Sequence, residues 1–524
     1  MAARPSTIRN DRFSFFTKLV LMGAFIGSLG VTLGCTKKTA DDPNTLYVGL
    51  SAAPATLDPR NAMDAGGMRL TNLLFSSIVR IGPDLEIIGE AASRWSYKNL
   101  VYTFTLRPGL VFAGHPDDKT GTGVPVTKED IEFSIEAFRA SGRFASSLEP
   151  IESYTVEYGP EGGLLVMKLK HYSATLLTDL TPVKILPAKL VKEKGDAFRD
   201  KPVGTGPFQF VSSDANEIRL QANPLNPYSA PKIQNLVFKI VREDNTRFLK
   251  LVKGELDLLQ QELPPTKVTE LEKKDEFQIF KYPGLSMTYL LINLKDETFK
   301  KKEARQALSE SLNRDEIIRF KLEGLAQSAT SILSPINPYH DGSLKAPIFN
   351  LEAAKKKVSD LGLAGKEVVL KTSNSTQAVE NGRVLANKIE ATGLKVKLQS
   401  FEWATFYKDM DQGNFQLATM RWVGTTDPDI YKTAFHSEQV PPKGRNRGSY
   451  LNPQLDRLVD LGRGIENVGR RIDHYKRVQR IVYEDLPIIP LWYDFEVAVA
   501  NKRVKNYVPS KNGDYTSLTK VEKQ

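Results

Sequence analysis

Short runs of alternating apolar and polar residues mark the first half of the chain. Such alternation is typical of strands that bury one face. It predicts strands at 46–50, 102–107, 165–169 and 236–241. Apolar residues at helical spacing lie between these runs and predict helices at 68–79 and 245–253.

One further helix in this half has a clear start. Thr127 precedes it and Asp130 follows three residues later, which is a short version of the capping box. Three apolar residues then share one face of the helix: Ile131, Ile135 and Phe138. With the neighbouring strands, this helix predicts an α+β unit over residues 81–200.

From residue 287 onward the pattern changes to strand and helix in turn. Strands are predicted at 289–294, 367–370, 394–398, 415–422 and 488–493. Helices are predicted at 303–312, 379–389, 406–410 and 472–482. This alternation favours an α/β unit with a partly parallel sheet. A chain of 524 residues is long enough for two to three domains.

The N-terminus has the pattern of an export signal. Basic residues precede an apolar run at 19–33, which is short for a membrane-spanning helix and ends just before Cys35. We predict a signal peptide over residues 1–34, and the residues before Cys35 resemble a bacterial lipobox. Cys35 is the only cysteine of the chain, so we expect it to be lipidated and residues 35–41 to form a tether. The alternative is a short membrane anchor with an incidental cysteine.

Charge and motifs argue against several other classes of protein. The net charge of +10 is spread over short basic clusters that suit solvated helix faces, so we expect no nucleic-acid partner. Nucleophile-elbow, phosphate-loop and zinc-protease motifs are absent from the sequence. The five histidines are far apart, so we expect neither a metal site nor a cofactor. Asp427 and Asp429 are a carboxylate pair that leaves a secreted hydrolase as an alternative.

Several separated segments match one family in order and spacing. They are TLDP at 56–59, YTFTLR at 102–107, VPVTKED at 124–130, VGTGPF at 203–208, ARQAL at 304–308, YLNPQLD at 450–456 and LPIIPL at 486–491. The chain thereby resembles the family 5 solute-binding proteins of oligopeptide and dipeptide ABC importers. The resemblance implies a type II periplasmic-binding fold, which is α/β with two lobes, a hinge and an extra α+β domain, and it implies no enzymatic activity.

The resemblance also divides the chain into named parts. Lobe I combines residues 42–80, 201–290 and 485–524. The extra domain is 81–200 and lobe II is 291–484. The crossings between the lobes are then expected near 285–295 and 480–490.

The implied function is capture of a short peptide between the lobes and delivery to a permease in the inner membrane. The protein would act in the periplasm as a monomer held by its lipid. The resemblance carries over these ligand-binding positions: Asp64, Ala65, Gly66, Gly67, Arg421, Trp422, Val423, Gly424, Thr425, Asp427, Trp492 and Tyr493. Each aromatic residue among them also suits core packing, and the glycines also suit an ordinary turn.

One position departs from the family pattern. Peptide binders of this family usually have an aspartate three residues after the tryptophan of this strand, where it pairs with the amino terminus of the ligand. Here that position is Thr425, with Asp427 two residues on as a possible substitute. The alternative ligands are a metal chelate, an opine, a saccharide or haem, which relatives carry.

Overall fold

The computed structural model describes residues 42–524 apart from 142, 143 and 146. The predicted signal peptide, tether and Cys35 lie outside these residues. Within the part described, no helix combines the length and the apolar character needed to cross a bilayer.

Strands and helices are numbered separately along the chain. The strands are β1 Thr45–Leu50, β2 Val79–Ile81, β3 Ile87–Gly89, β4 Ala92–Lys98, β5 Val101–Leu106, β6 Val111–Phe112, β7 Val124–Pro125, β8 Ile151–Gly159, β9 Gly162–Leu169, β10 Phe208–Ser213, β11 Glu217–Ala222, β12 Asn235–Ile240, β13 Leu258–Gln260, β14 Phe277–Ile292, β15 Ala326–Ser328, β16 Glu367–Ser373, β17 Lys395–Phe401, β18 Leu417–Trp422, β19 Ile488–Asn501, β20 Val504–Lys505 and β21 Glu522–Lys523. The helices are α1 Ala65–Leu74, α2 Lys128–Ala140, α3 Leu176–Leu180, α4 Ala188–Lys194, α5 Asp244–Val252, α6 Pro265–Leu271, α7 Lys302–Ser311, α8 Arg314–Phe320, α9 Leu351–Asp360, α10 Thr376–Glu390, α11 Trp403–Gln412, α12 Ile430–Phe435, α13 Pro453–Gly462 and α14 Val468–Asp485.

One mixed sheet runs through both lobes. Its order is β10-β11-β12-β1-β13-β19-β14-β18-β16-β17, and β15 pairs with β19 outside this path. The strands β14 and β19 pair with each other along both lobes and are the connection between the two halves of the sheet. The extra domain has its own four-stranded sheet in the order β4-β5-β9-β8.

Most elements follow the local patterns of the sequence. The capping box of α2 is confirmed, because the Thr127 side chain accepts from the Asp130 N–H and the Asp130 side chain accepts from the Thr127 N–H. The helix predicted at 68–79 is wrong in its bounds, since α1 ends at Leu74 and Phe75 is extended. Ser77 then forms a bridge with Lys184, which keeps this segment extended.

The strands β14 and β19 are longer than the sequence predicted. Expected over 289–294 and 488–493, they extend to 277–292 and 488–501. Polar residues between 278 and 284 and between 494 and 496 interrupt the apolar pattern that the prediction used. These residues lie where the two strands pass from one lobe to the other.

Lobe I and the extra domain share one hydrophobic core. Buried residues of α1 and β12, such as Leu70 and Phe238, belong to the same cluster as Phe138 and Leu186 of the extra domain. The sheet of lobe II is covered on both faces by two separate clusters. The extra domain therefore shares its core with lobe I.

Candidate functional site

The direction of the strands places the candidate site, called the groove below, between the two lobes. In lobe I, β12 and β13 run parallel to β1, and β13 is antiparallel to β19. Because β14 is also antiparallel to β19, the parallel strands of lobe I point along β14 toward lobe II. In lobe II, β18 is antiparallel to β14, while β16 is parallel to both β17 and β18. The carboxyl ends of both sets of parallel strands therefore face each other, and ligands of α/β sheets bind at such ends.

A bulge in the paired strands lies at the floor of this groove. Pro283 lies opposite Phe495, and the next paired residue of β14, Met287, lies opposite Tyr493. Three residues of β14 therefore lie across from the single residue 494 of β19. Gly284 lies in the bulge, where a Cβ would be only 2.5 Å from the carbonyl oxygen of Asp494. This close approach requires glycine.

The loop before α1 provides the predicted contacts of lobe I. The carboxylate of Asp64 accepts from the N–H of Gly67 at 2.8 Å and of Ala55 at 3.1 Å. Asp64 is thus the N-cap of α1 and holds the loop in place. Gly67 is buried, whereas Ala65 and Gly66 reach the surface.

The end of β18 holds the residues predicted to line the groove from lobe II, and this segment is called the wall below. Trp422 is only 7% exposed and stacks on Tyr289 with ring centres 6.0 Å apart. Its indole N–H has no hydrogen-bond partner within the described part of the chain. Val423 is 56% exposed, and the N–H of Gly424 donates to Ser286 Oγ in the bulge at 3.3 Å. The wall is therefore joined directly to the crossing strands.

Trp492 and Tyr493 are both buried in β19. The indole of Trp492 donates to Asp494 Oδ1 at 3.0 Å, and Asp494 Oδ2 accepts from Arg421 Nε at 2.8 Å. The hydroxyl of Tyr493 donates to the carbonyl oxygen of Leu333 at 3.0 Å. These contacts hold the crossing strands against lobe II.

Thr425 and Asp427 lie in the loop that follows the wall. Thr425 is buried, and its carbonyl oxygen accepts from Asn337 Nδ2 at 3.2 Å. Asp427 forms a two-point pair with Arg471, with contacts of 2.9 and 3.1 Å. Burial acts to lower the pKa of Arg471, but the charge of Asp427, the hydrogen bonds to it and the neighbouring tyrosines together raise the pKa. The carboxylate of Asp427 is thus already occupied by a cation.

Asp429, the other half of the carboxylate pair, also lies beside an arginine. Arg463 Nε is 3.2 Å from Asp429 Oδ1, an ion-pair contact without hydrogen-bond geometry. Burial raises the pKa of Asp429. Two carboxylates that are each paired with a guanidinium do not form the opposed acid and base of a glycosidase.

Two residues at the facing strand ends were missed by the sequence analysis. Trp403 follows β17, is 55% exposed and packs one edge on Tyr407, with ring centres 5.7 Å apart. Glu262 follows β13 and accepts from the N–H of Ser51 at 2.8 Å. Burial raises the pKa of Glu262. An aromatic residue directly after a predicted parallel strand was the available signal for Trp403.

Together, the facing strand ends, the crossing strands and the added domain define a two-lobed binding protein of the type II periplasmic class. Residues 86–440 match the family model for bacterial extracellular solute-binding proteins, family 5. The chain belongs to this family.

Curated relatives match nearly the whole chain. The chain is 25% identical over 501 residues to di/tripeptide-binding protein 2 of Pseudomonas aeruginosa, covering 89% of this chain and 92% of that protein. It is 24% identical over 533 residues to the dipeptide-binding protein of Escherichia coli, covering 93% and 96%.

Solved structures show the same fold. DppA of Helicobacter pylori in complex with the peptide STSA superposes with a TM-score of 0.81 at 24% identity, covering 91% of this chain and 98% of that one. AppA of Bacillus subtilis in complex with a nonapeptide gives 0.80 at 23%, covering 92% and 99%. NikZ of Campylobacter jejuni in complex with Ni(L-His) gives 0.78 at 21%, covering 92% and 100%.

Proposed function

We propose that this protein is a lipid-anchored component of an ABC importer that binds short peptides between its lobes and delivers them to the permease. It is exported, attached through Cys35, and acts in the periplasm as a monomer without a cofactor. At the level of its family it is a binding protein and not an enzyme.

The observation that carries this proposal is the pair of facing strand ends. On lobe II the side chain of Val423 after β18 and the side chain of Trp403 after β17 are exposed. On lobe I the facing ends are the Glu262 and Ser51 ends of neighbouring strands. Exposed backbone at strand ends suits an extended peptide, because main-chain hydrogen bonds give affinity with little dependence on sequence.

Hinge closure is the mechanism that this geometry supports. A ligand that touches both lobes binds the closed form more tightly than the open form and shifts the population toward it. The hydrogen bond from Gly424 to Ser286 connects the wall to the crossing strands, so the two would move together during closure.

The ligand class follows from the relatives and from the acids of the groove. Curated relatives are named as dipeptide-binding and di/tripeptide-binding proteins. The usual aspartate is replaced by Thr425, and Asp427 is held by Arg471. We therefore propose peptides that are recognised through their backbone, with little dependence on a free amino terminus. A metal chelate is the second candidate, since NikZ is a structural neighbour with Ni(L-His).

Titration with defined tripeptides tests the peptide proposal. We expect one peptide bound per chain by calorimetry, and similar affinities for free and N-acetylated forms. Replacing Trp403 with alanine is expected to weaken binding about tenfold, because a half-exposed ring at the groove loses its contact area with the ligand.

Phe320 offers a matched control for this titration. It is 69% exposed at the end of α8, a helix that does not follow a strand of the sheet directly. Phe320→Ala is expected to leave peptide affinity unchanged. Absence of heat with all tripeptides, combined with binding of Ni(L-His), would transfer the proposal to the metal chelate.

The lipid anchor has a separate test. Changing Cys35 to alanine is expected to remove acylation and move most of the protein from the membrane fraction to the soluble fraction, because acyl chains supply about 0.8 kcal/mol per buried CH₂. Labelling with radioactive palmitate measures acylation. Equal labelling of the Cys35→Ala protein would contradict the anchor and leave peptide binding unaffected.

A further inference from the structure

The extra domain touches lobe II directly, away from the crossing strands. The N–H of Ala174 donates to the carbonyl oxygen of Arg463 at 3.0 Å. The hydroxyl of Tyr97 donates to Glu466 Oε1 at 3.4 Å. Because the extra domain shares its core with lobe I, opening of the groove would separate these partners.

Acidic groups meet at this contact. Asp179 lies in α3, five residues after Ala174, whose N–H bonds to Arg463, and the charges of Asp427 and Asp429 of lobe II act on it. Two guanidinium groups lie there as well, but Arg471 is paired with Asp427 and Arg463 with Asp429. The contact thus brings three carboxyl groups to two arginines, and the carboxyl group of Asp179 is the one in excess.

The surroundings of Asp179 favour its neutral form. Burial raises the pKa of Asp179 to about 7, and the charges of Asp427 and Asp429 act in the same direction. Two contacts oppose this shift: Thr175 Oγ1 donates to Asp179 Oδ2 at 2.6 Å, and Arg463 is a nearby cation. When lobe II moves away, Asp179 gains water and loses its acidic neighbours, so its pKa falls back toward 3.8.

We propose that Asp179, set against Asp427 and Asp429, is a proton-operated latch that strengthens closure of lobe II onto the extra domain in mildly acidic medium. The latch rests on the closure proposed above as the function of the lobes. Through this latch, the pH of the medium around the protein would set how strongly the lobes close, whichever ligand is bound.

The direction follows from proton linkage. The closed form has the higher pKa and so binds more protons than the open form. Closure is therefore strongest below pH 3.8, weakens as pH rises toward about 7, and is constant above that value. Since Asp179 keeps part of its hydration, we expect the ratio of closed to open protein to fall about tenfold between pH 5 and pH 7, less than the full shift would give.

Distance measurements on the ligand-free protein test the latch. Spin labels are attached at Lys168→Cys in the extra domain and Asp473→Cys in lobe II, with Cys35→Ser so that no other thiol remains. We expect a larger fraction of short distances at pH 5 than at pH 8. Asp179→Asn is expected to give the short distances at both pH values, because the amide keeps the shape without the charge.

Two further variants make the result decisive. Asp117→Asn removes an exposed carboxylate of the extra domain that pairs with Lys189, and it should retain the full pH response. Asp429→Asn removes one facing charge and should reduce the response. A distance distribution independent of pH, or an unchanged response in Asp179→Asn, would overturn the latch. Because no ligand is present, that outcome would leave the peptide proposal standing.

Discussion

Replacing Arg471 with methionine is expected to lower the free energy of unfolding by about 3 kcal/mol, because a largely buried carboxylate would lose its cation. The Arg471 guanidinium is buried and holds Asp427 at two points. It also donates to the carbonyl oxygen of Gly462 at 3.2 Å and to the hydroxyl of Tyr339 at 2.9 Å. All of these contacts would be lost at once.

Urea unfolding, followed by circular dichroism, measures this effect. The double variant Asp427→Asn with Arg471→Met removes both charges, so we expect it to recover part of the lost stability. Arg470→Met is the matched control, since Arg470 is the exposed neighbour on the same helix, and we expect a change below about 0.5 kcal/mol. A loss below about 1 kcal/mol for Arg471→Met would show that the stability of the fold does not depend on the pair of Asp427 and Arg471.

Local patterns predicted nine of the 21 strands and seven of the 14 helices in the part of the chain that the structure describes. The capping box at Thr127 and Asp130 predicted the start of α2, and the alternation at 394–398 predicted β17. Such signals act over a few residues and are little changed by tertiary contacts. The parallel pairing of β16 with β17 also agrees with the strand and helix alternation of lobe II.

Pairing between distant residues escaped the sequence analysis. Asp427 was considered as a substitute for the aspartate missing at Thr425, yet Arg471 lies 44 residues further along the chain and occupies it. From the sequence, Trp422 suits the hydrophobic core and the groove equally well. Its stacking on Tyr289 depends on the pairing of β14 with β18. Ion pairs and strand pairs join residues that are far apart in the sequence, and the local pattern of apolar residues carries no information about them.

The crossing strands show the same limit at a functional position. The sequence shows only a glycine at 284 directly after a proline, where the apolar alternation is weak. The fold places this glycine against the carbonyl oxygen of Asp494, at the bulge that joins the lobes. A bulge in paired strands bends them and is often found beside a functional site.

Replacing Gly284 with alanine is expected to impair closure of the lobes. The new Cβ would lie 2.5 Å from the backbone oxygen of Asp494, which has no rotamer with which to move away. Overpacking of this kind costs about 1–3 kcal/mol, and about 1.4 kcal/mol corresponds to tenfold in affinity. Strain present in both forms lowers the free energy of unfolding in urea, and the part that is larger in the closed form weakens binding. We therefore expect lower stability in urea, and tripeptide affinity weakened about tenfold by calorimetry if the two forms differ by about 1.4 kcal/mol.

Gly342→Ala is the matched control for this variant. A Cβ at Gly342 meets no atom within 4 Å, so we expect stability and peptide affinity to stay at the level of the unmodified protein. If Gly284→Ala bound tripeptides as tightly as the control, the bulge would be free to relax, and the crossing strands would not transmit closure through this position. Full stability with weakened binding would instead place the strain in the closed form alone, since only closure would then press the new methyl group against Asp494.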